Sequence, residues 1–365
     1  MYIRRWLAEK NKRVCLFRHT LLFFPTSYLL YIFICRKPQI KGIKSFASEA
    51  KQLSSHKRNT TMEIFEVHIL GCGSALPTTR HNASSQVVRV GNKQFMIDCG
   101  EGTQLQLRRS HVHFSFINHI FISHLHGDHC FGLIGMLSTF GLLGRTAPLH
   151  IYADKMLRII LKPQLDFFCK EMKYDVVFHD IDATEHKLIY EDSTITVHTL
   201  PLKHRIPCCG FLFKEKAKKR HIRRDMIDAY NIPEYKRQAI KEGEDYTTPD
   251  GQVIPNAKLT TDADPSRSYA YCSDTLPCPE LCQLIEKSDL LYHEATFAKS
   301  ETARAAATFH TTTEQAATIA RDANVKKLII GHFSSRYDDD TALLVEAQEI
   351  FPNSDLASEG KCFKI

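Results

Sequence analysis

Short apolar runs recur along the chain from residue 62 onward and are separated by glycine, proline and asparagine. The stretches FEVHILGCGSALP and SSQVVRVGNKQFMIDCGEGTQLQL are rich in Val, Ile and Phe, which predicts β-strands that end in glycine turns. INHIFISH predicts a buried strand, and FGLIGMLSTFGLLG, which is apolar on nearly all sides, predicts a buried helix. Further strands are predicted over residues 148–153, 176–181 and 194–200.

The second half of the chain repeats this pattern. After Tyr269, SYAYCSDT and SDLLYHEATF predict strands, TTEQAATIARDA predicts a helix, and VKKLIIGHF predicts another strand. Two similar halves, each a sheet covered by helices, would pack into four layers. We therefore predict an α/β fold in which two sheets lie between two layers of helices.

A basic segment separates the two halves. Residues 214–241 hold ten Lys and Arg against four acids, and TTPDGQVIPNAKLTTDADPSRS then adds turn-forming residues with few large apolar ones. This composition predicts an arm, at about residues 214–268, that protrudes from the sheets. Its local positive field would attract phosphates, although basic clusters are also typical of solvated helix faces.

The first 61 residues differ in charge from the rest. They hold thirteen Lys and Arg against two Glu, a net charge of +11, so the remainder carries −4 of the total of +7. The apolar run Leu16–Cys35 is interrupted by Arg18 and Pro25. We expect this extension to be a membrane anchor, a targeting segment or sequence upstream of the true start, and a catalytic domain to occupy residues 62–365. The twelve cysteines form no CxxC pair, which favours a reducing compartment.

The stretch FISHLHGDHC at residues 121–130 carries the clearest chemistry. His124 and His126 alternate along an extended loop and so project the same way, while Asp128 and His129 fall where the next helix begins. Neutral imidazole with carboxylate suits Zn²⁺, with Mn²⁺ or Fe as alternatives, and four ligands at this spacing could hold two adjacent ions. The alternative is a solvated loop in a histidine-rich chain.

Two ions need further ligands, which are expected where other strands end. The candidates are His204 in TLPLKHRIPCCGF, Asp274 in YCSDT and His332 in IIGHFSSRY. Each of them alone could instead be a structural residue that makes hydrogen bonds at a strand end. Together they complete two coordination shells, with Asp274 able to bridge.

These motifs carry a family resemblance. SHLHGDH resembles the signature of the metallo-β-lactamase superfamily, and together with LGCGSALPTTRHN, IDCGEGTQLQL, SDT, HEATF and GHFSSRY it is similar specifically to the short form of ribonuclease Z, the tRNA 3′-processing endonuclease. The similarity covers Met62–Ile365. It implies a metallo-β-lactamase αββα four-layer sandwich with a protruding basic arm. It also implies that the protein is a cytoplasmic homodimer with no obligatory membrane partner.

The resemblance also implies an activity and a ligand set. The activity is zinc-dependent endonucleolytic removal of 3′ trailers from tRNA precursors, which leaves a 3′-hydroxyl on the tRNA and produces 5′-phosphomonoesters. The ligands of two zinc ions per subunit would be His124, His126 and His204 around one ion, Asp128, His129 and His332 around the other, and Asp274 between them.

Further residues are candidates for catalysis and RNA binding. Two zinc ions lower the pKa of a shared water to about 7, and Asp128 would orient or deprotonate that water. His310, by resemblance, or Glu294 would protonate the leaving oxygen, although His310 could instead cap the helix that follows it. Phosphate contacts are expected from the basic side chains of Arg336, Arg80, Lys218, Lys219, Arg220, Arg223 and Arg224. Arg336 could instead pair with Asp338–Asp340, and Arg80 could only satisfy a turn.

Two other functions stay open on the sequence. A different hydrolase of the superfamily, such as a small phosphodiesterase, thioesterase or lactonase, would keep the metal ligands and dispense with the basic arm. A non-catalytic RNA-binding relative would have lost ligands, whereas all seven are present here.

Overall fold

The structure is a computed structural model that describes residues 64–365. The N-terminal extension, its apolar run Leu16–Cys35 and the predicted domain start at Met62 lie outside the described residues. Within residues 64–365, no helix has the length and apolar character needed to cross a bilayer.

A first mixed sheet is built mainly from the N-terminal half. In chain order its strands are β1 (Phe65–Gly71), β2 (Ser85–Val90), β3 (Lys93–Ile97), β4 (Ile117–Phe121), β5 (Leu149–Ala153), β6 (Val176–Asp180) and β18 (Cys362–Lys364). They lie side by side in the order β18-β1-β2-β3-β4-β5-β6, antiparallel from β18 to β3 and parallel from β3 to β6. The C-terminal strand thus closes the edge of the N-terminal sheet.

A second mixed sheet is built from the rest of the chain. Its strands are β7 (Leu188–Glu191), β8 (Ile195–Pro201), β9 (Cys209–Glu215), β14 (Ser268–Cys272), β15 (Leu290–Glu294), β16 (Leu328–Gly331) and β17 (Ser354–Leu356). They lie in the order β17-β16-β15-β14-β9-β8-β7. Strands β14 to β17 are parallel, and β9 is antiparallel to both β14 and β8. Strands β8, β14, β15 and β16 therefore run in the same direction, and their carboxyl ends lie at the same edge of this sheet.

Helices lie on the outer faces of the two sheets. Outside the arm they are α1 (Thr103–Arg109), α2 (Gly127–Cys130), α3 (Leu133–Leu142), α4 (Lys155–Phe168), α8 (Leu281–Leu284), α9 (Thr302–Thr308), α10 (Thr313–Asp322) and α11 (Thr341–Ile350), with 3-10 turns at Phe114–Phe116 and Lys299–Glu301. The predicted helix in TTEQAATIARDA is confirmed as α10. A capping box formed by Thr312 and Gln315 stabilises its start.

Two apolar cores hold the layers together. One core fills the space between the sheets, where Phe121 of β4 packs against Phe211 and Phe213 of β9. The other lies between the first sheet and helices α1, α3 and α4. This arrangement confirms the four-layer αββα prediction. It differs from expectation at the end of α3, where Leu142 is 86% exposed rather than buried.

The arm is more ordered than its composition suggests. Its elements are β10 (His221–Ile222), α5 (Arg224–Ala229), α6 (Glu234–Lys241), β11 (Tyr246–Thr247), β12 (Val253–Ile254), α7 (Asn256–Leu259) and β13 (Thr260–Thr261). They enclose a small core of their own, made by Ile232, Ile240, Tyr246, Ile254 and Leu259. The composition of the segment did not predict this core, because its few apolar residues are widely spaced along the chain. At the base of the arm, Arg267 pairs with Glu215 at 2.6 Å.

Candidate metal centre

The predicted ligands all lie where strands end. The loop with His124 and His126 follows β4, and its continuation begins helix α2. His204, Asp274 and His332 follow strands β8, β14 and β16, which end at the same edge of the second sheet. Loops at the carboxyl ends of such strands meet, which is why residues distant in sequence can form one site.

The backbone at the centre adopts conformations that most residues avoid. Ala75 (φ 53°), Asp98 (φ 56°) and His332 (φ 63°) are non-glycine residues in the left-handed region. Such strain persists where the surrounding structure imposes it, and it is concentrated at functional sites. Gly100 is required for a different reason, since a Cβ atom there would lie 2.3 Å from the carbonyl oxygen of Asp128.

A first cluster contains three histidines and an aspartate. The Nδ1 atom of His126 lies 3.1 Å from Nε2 of His124 and 3.2 Å from Nε2 of His204. Oδ2 of Asp274 lies 3.6 Å from Nε2 of His124 and 3.8 Å from Nε2 of His204. All four ligand atoms fall within 4.8 Å of one another.

A second cluster lies directly beside the first. Nε2 of His332 is 3.4 Å from Nε2 of His129 and 3.4 Å from Oδ2 of Asp128. Oδ1 of Asp274 lies 3.2 Å from Nε2 of His332 and 3.4 Å from Nε2 of His129. The two carboxylate oxygens of Asp274 therefore face different clusters, which is the geometry of a bridging ligand.

Hydrogen bonds on the far side of each ring orient the ligands. His129 donates from Nδ1 to Asp98 at 2.8 Å, His204 from Nδ1 to the carbonyl of Phe309 at 2.9 Å, and His332 from Nδ1 to the Thr296 hydroxyl at 2.9 Å. Each bond leaves Nε2 as the ring nitrogen that faces the centre. Asp98 lies in the motif IDCGEGTQLQL but was not among the predicted site residues, because its partners are distant in sequence.

The electrostatics fit a pair of divalent cations. Burial lowers the pKa of His124 to about 4 and also lowers the pKa of His126 and His204, so these imidazoles are neutral and able to ligate. Burial would raise the pKa of Asp128 and Asp274, but neighbouring histidines hold both well below the usual range. Ionised buried carboxylates require positive charge beside them, which cations would supply.

The spacing of the ligand atoms also fits. Bonds of about 2.0–2.3 Å in a tetrahedral site place neighbouring ligand atoms roughly 3.3–3.8 Å apart. The distances between ligand atoms in the two clusters, from 3.1 Å to 3.8 Å, are close to these values.

A cavity of about 490 Å³ opens above both clusters. It is lined by ligands and by Ala75, Phe131, Arg205 and His310. His310 donates from Nδ1 to Oε1 of Glu294 at 3.0 Å. Burial would lower the pKa of His310, but the carboxylate of Glu294 raises it to about 9. An imidazole next to the ligands is thus held in its protonated form.

Glu294 lies behind His310 rather than at the cavity. Its side chain is fully buried, and its carboxylate also accepts hydrogen bonds from the backbone N–H groups of Thr275, Thr296 and Thr311. Its acceptor capacity is therefore used by the protein, and the structure gives Glu294 the position of a residue that orients His310.

The two basic residues predicted near the site differ in their surroundings. The guanidinium of Arg80 donates to the carbonyls of Tyr337 and Asp338 and pairs with Asp340 at 3.2 Å, so it holds a turn together. The side chain of Arg336 is exposed, and within residues 64–365 it forms no ion pair with the acids that follow it.

Most of the basic residues of the arm that were predicted to contact phosphate form ion pairs within the arm or at its base. Lys218 pairs with Glu215 at 3.0 Å, Lys219 with Glu242 at 2.8 Å, Arg220 with Asp262 at 2.9 Å and Arg223 with Asp225 at 2.6 Å. Arg224 is exposed and has no acidic partner among the described residues. The positive field of the arm is therefore weaker than a count of its basic residues suggests.

The four layers and the two-part centre of histidine and aspartate define a protein of the metallo-β-lactamase fold. The crystal structure of the metallo-β-lactamase fold protein YhfI from Bacillus subtilis superposes with a TM-score of 0.59 at 16% identity, covering 83% of this chain and 100% of that one. A family model described as Anti-Pycsar protein Apyc1 matches residues 65–218.

Closer relatives identify the family. Ribonuclease Z of Bacteroides fragilis is 60% identical over 304 residues, which is 83% of this chain and 100% of that protein. The crystal structure of human tRNase Z, short form, has a TM-score of 0.59 at 26% identity and covers 82% of this chain and 98% of that one. The chain belongs to the ribonuclease Z family.

Proposed function

We propose that this protein is a zinc-dependent endoribonuclease that removes 3′ trailers from tRNA precursors and leaves a 3′-hydroxyl on the tRNA. The observation that carries the proposal is the pair of clusters joined by Asp274 beneath an open cavity, in a chain of the ribonuclease Z family. Two zinc ions per subunit would be held by the seven ligands. When bound, such a pair supplies Lewis acidity and an activated water.

Asp128 is the residue best placed to act on the attacking water. Its carboxylate lines the cavity, and Oδ2 accepts a hydrogen bond from the backbone N–H of Ala75 at 2.8 Å. That bond fixes the orientation of the carboxylate. Asp128 would hold the water in line with the scissile phosphate and accept its proton.

His310 would donate a proton to the leaving 3′-oxygen. Its Nδ1–H is engaged by Glu294, which leaves Nε2 as the ring nitrogen available to substrate. We expect His310→Gln to lower kcat about 100-fold with metal content unchanged, since a positioned acid typically contributes at least that much. Cleavage of a precursor and elemental analysis of the same samples check this.

A sulfur leaving group separates this role from a structural one. A precursor with a 3′-bridging sulfur needs little proton donation, so His310→Gln should cleave it at nearly the wild-type rate. An equal loss on oxygen and sulfur substrates would contradict proton donation by His310.

The arm would bind the RNA backbone at a distance from the cut. Phosphate contacts depend on salt, and an exposed guanidinium without an acidic partner contributes more than one that is already paired. We expect Arg224→Gln to raise KM, leave kcat unchanged and reduce the slope of log KM against log salt by about one. The matched control is Arg223→Gln, because Arg223 is held by Asp225. Equal effects of the two substitutions would contradict this role for Arg224.

A homodimer is supported by an apolar surface on the helical layer. One face of α4 buries Leu157 and Leu161, while Met156, Ile159, Ile160 and Phe167 are exposed on another. Leu142 and Leu143, at the end of α3, are exposed as well. Several large apolar side chains exposed on one helix are typical of a protein interface. Light scattering of the purified chain measures the mass, and a monomer would exclude the dimer.

A cytoplasmic location is supported by the thiols. The ten cysteines within residues 64–365 are all free, as expected for a reducing compartment. Fractionation of cells followed by detection of the chain tests this location.

The test of the proposed function is incubation of the full chain with a 3′-extended tRNA precursor and mapping of both new ends. A cut at the 3′ side of the tRNA body, with a 3′-hydroxyl and a 5′-phosphate, is expected. Hydrolysis of a small phosphodiester but not of the precursor would favour another hydrolase of the superfamily. A variant in which a short linker replaces residues 217–265, so that β9 and β14 stay intact, should lose precursor cleavage and keep activity on the small diester.

A further inference from the structure

A second group of potential metal ligands lies outside the metal centre. Sγ of Cys72, the residue after β1, is 3.4 Å from Nδ1 of His81, and that nitrogen is 3.2 Å from Oε2 of Glu359. All three ligand atoms lie within 4.8 Å of one another. We call Cys72, His81 and Glu359 the thiol cluster.

The spacing of the thiol cluster matches that of the metal centre. A tetrahedral zinc site places neighbouring ligand atoms roughly 3.3–3.8 Å apart. The distances of 3.4 Å and 3.2 Å here are close to that range. Thiolate, imidazole and carboxylate are all zinc ligands, and a mixed set of this kind favours Zn²⁺ over Mg²⁺ or Ca²⁺.

Outer hydrogen bonds orient the ligands of the thiol cluster in the same way. His81 donates from Nε2 to Asp340 at 2.8 Å, which leaves Nδ1 facing Cys72 and Glu359. Arg80 holds Asp340 in turn at 3.2 Å. Oε1 of Glu359 accepts from the backbone N–H of Asn82 at 2.8 Å, which directs Oε2 toward the cluster. A carboxylate behind a metal-binding histidine is the usual support of a zinc site.

We propose that Cys72, His81 and Glu359 form a third metal site that takes Zn²⁺. On binding, the thiol of Cys72 and the Nδ1–H of His81, which faces Glu359 in the metal-free protein, each release one proton to solvent. The sulfur, Nδ1 of His81 and Oε2 of Glu359 then each donate one electron pair to the ion. Water would complete the coordination, and His81, alone of the three ligands, also lines a surface cavity of about 140 Å³. This inference does not rest on the proposed RNA cleavage.

The site would connect to the metal centre through one short segment. Cys72 is followed by Gly73 and Ser74, and the N–H of Ser74 donates to the carbonyl of Phe333, next to the ligand His332, at 3.0 Å. Ala75 then donates its N–H to the carboxylate of Asp128 at 2.8 Å. An ion at Cys72 and His81 would tie both ends of the segment that carries these two contacts. Its role would be to position Asp128.

Cobalt titration of the full chain tests the third site. After removal of metals with a chelator, Co²⁺ is added and the near-ultraviolet absorption is followed. The metal centre contains no sulfur ligand, so a thiolate-to-cobalt charge-transfer band reports a site with cysteine. The expected result is binding of three ions per chain, with a band that is absent in Cys72→Ser.

Cys362→Ser is the matched control. Cys362 lies beside His68 on neighbouring strands, with Sγ 3.8 Å from Nε2, and with Glu66 it forms a more exposed group of the same three residue types. The band should survive Cys362→Ser. A band that is lost in Cys362→Ser and kept in Cys72→Ser would overturn the assignment.

A second variant tests the site if Cys72→Ser does not fold. Asp340→Asn leaves all three ligands in place and removes the support of His81, so the Kd of the thiolate band for Co²⁺ should rise about 10- to 100-fold. Hydrogen exchange of residues 73–82 should slow when the third ion binds. The absence of any thiolate band in the wild-type chain would show that His81 is held as a cation between Asp340 and Glu359, without a metal.

Discussion

Replacing Asp274 with alanine is expected to remove metal from both clusters and to abolish cleavage of a tRNA precursor. Oδ1 of Asp274 lies 3.2 Å from Nε2 of His332, and Oδ2 lies 3.6 Å from Nε2 of His124. The substitution therefore takes a ligand from each cluster at once. It also removes the negative charge that favours two adjacent cations.

The expected size of the effect on the rate follows from the loss of metal. We expect less than one ion per chain in the metal centre and a decrease in kcat/KM of at least about 1000-fold, or about 4 kcal/mol in the activation free energy. Elemental analysis and precursor cleavage measure the two quantities. Asp289→Ala, at an aspartate that contacts Ser268 and Lys326 away from the centre, is the control and should keep both. Normal metal content in Asp274→Ala would contradict the bridging role.

Replacing Asp128 with alanine is expected to abolish cleavage while leaving one ion bound. Asp128 belongs to the second cluster only, so the set formed by His124, His126, His204 and Asp274 remains complete. The variant loses both a ligand and the carboxylate that would accept a proton from water. We therefore expect metal content to fall from two ions toward one in the metal centre, and kcat to fall at least about 1000-fold.

Glu101→Gln is the matched control for Asp128→Ala. Glu101 lines the same cavity but belongs to neither cluster. Glu101→Gln should leave metal content unchanged and alter kcat by less than about tenfold, because the side chain of Glu101 is exposed and holds no metal in either cluster. Unchanged cleavage in Asp128→Ala, with the end groups mapped as for the wild type, would eliminate the proposed mechanism.

The first cluster would only hold metal, whereas the second would hold metal and also act on water, and the variants can distinguish these roles. His124, His126 and His204 are held as neutral rings by burial, whereas the second cluster contains the residue that would act on water. His310 lies at the cavity beyond both clusters, with Glu294 behind it. Loss of metal, loss of the base and loss of the acid should therefore give three distinct patterns of metal content and leaving-group dependence.

Local features of this protein could be predicted from the sequence because they depend on near neighbours. Strand β4, the loop with His124 and His126, and helix α10 with its capping box follow from backbone periodicity and from turn-forming residues. The four-layer order also follows, since two similar halves with apolar strands can bury their faces only against each other.

The contacts between distant residues were decided by the tertiary structure. No local pattern states that the two oxygens of Asp274 face different clusters, that Asp98 supports His129, or that Glu294 is buried behind His310. The same holds for the arm, where acids distant in sequence, such as Glu242 and Asp262, pair with the basic residues. Sheet packing brings strand ends together in three dimensions, so side-chain partners depend on the register of both sheets rather than on sequence spacing.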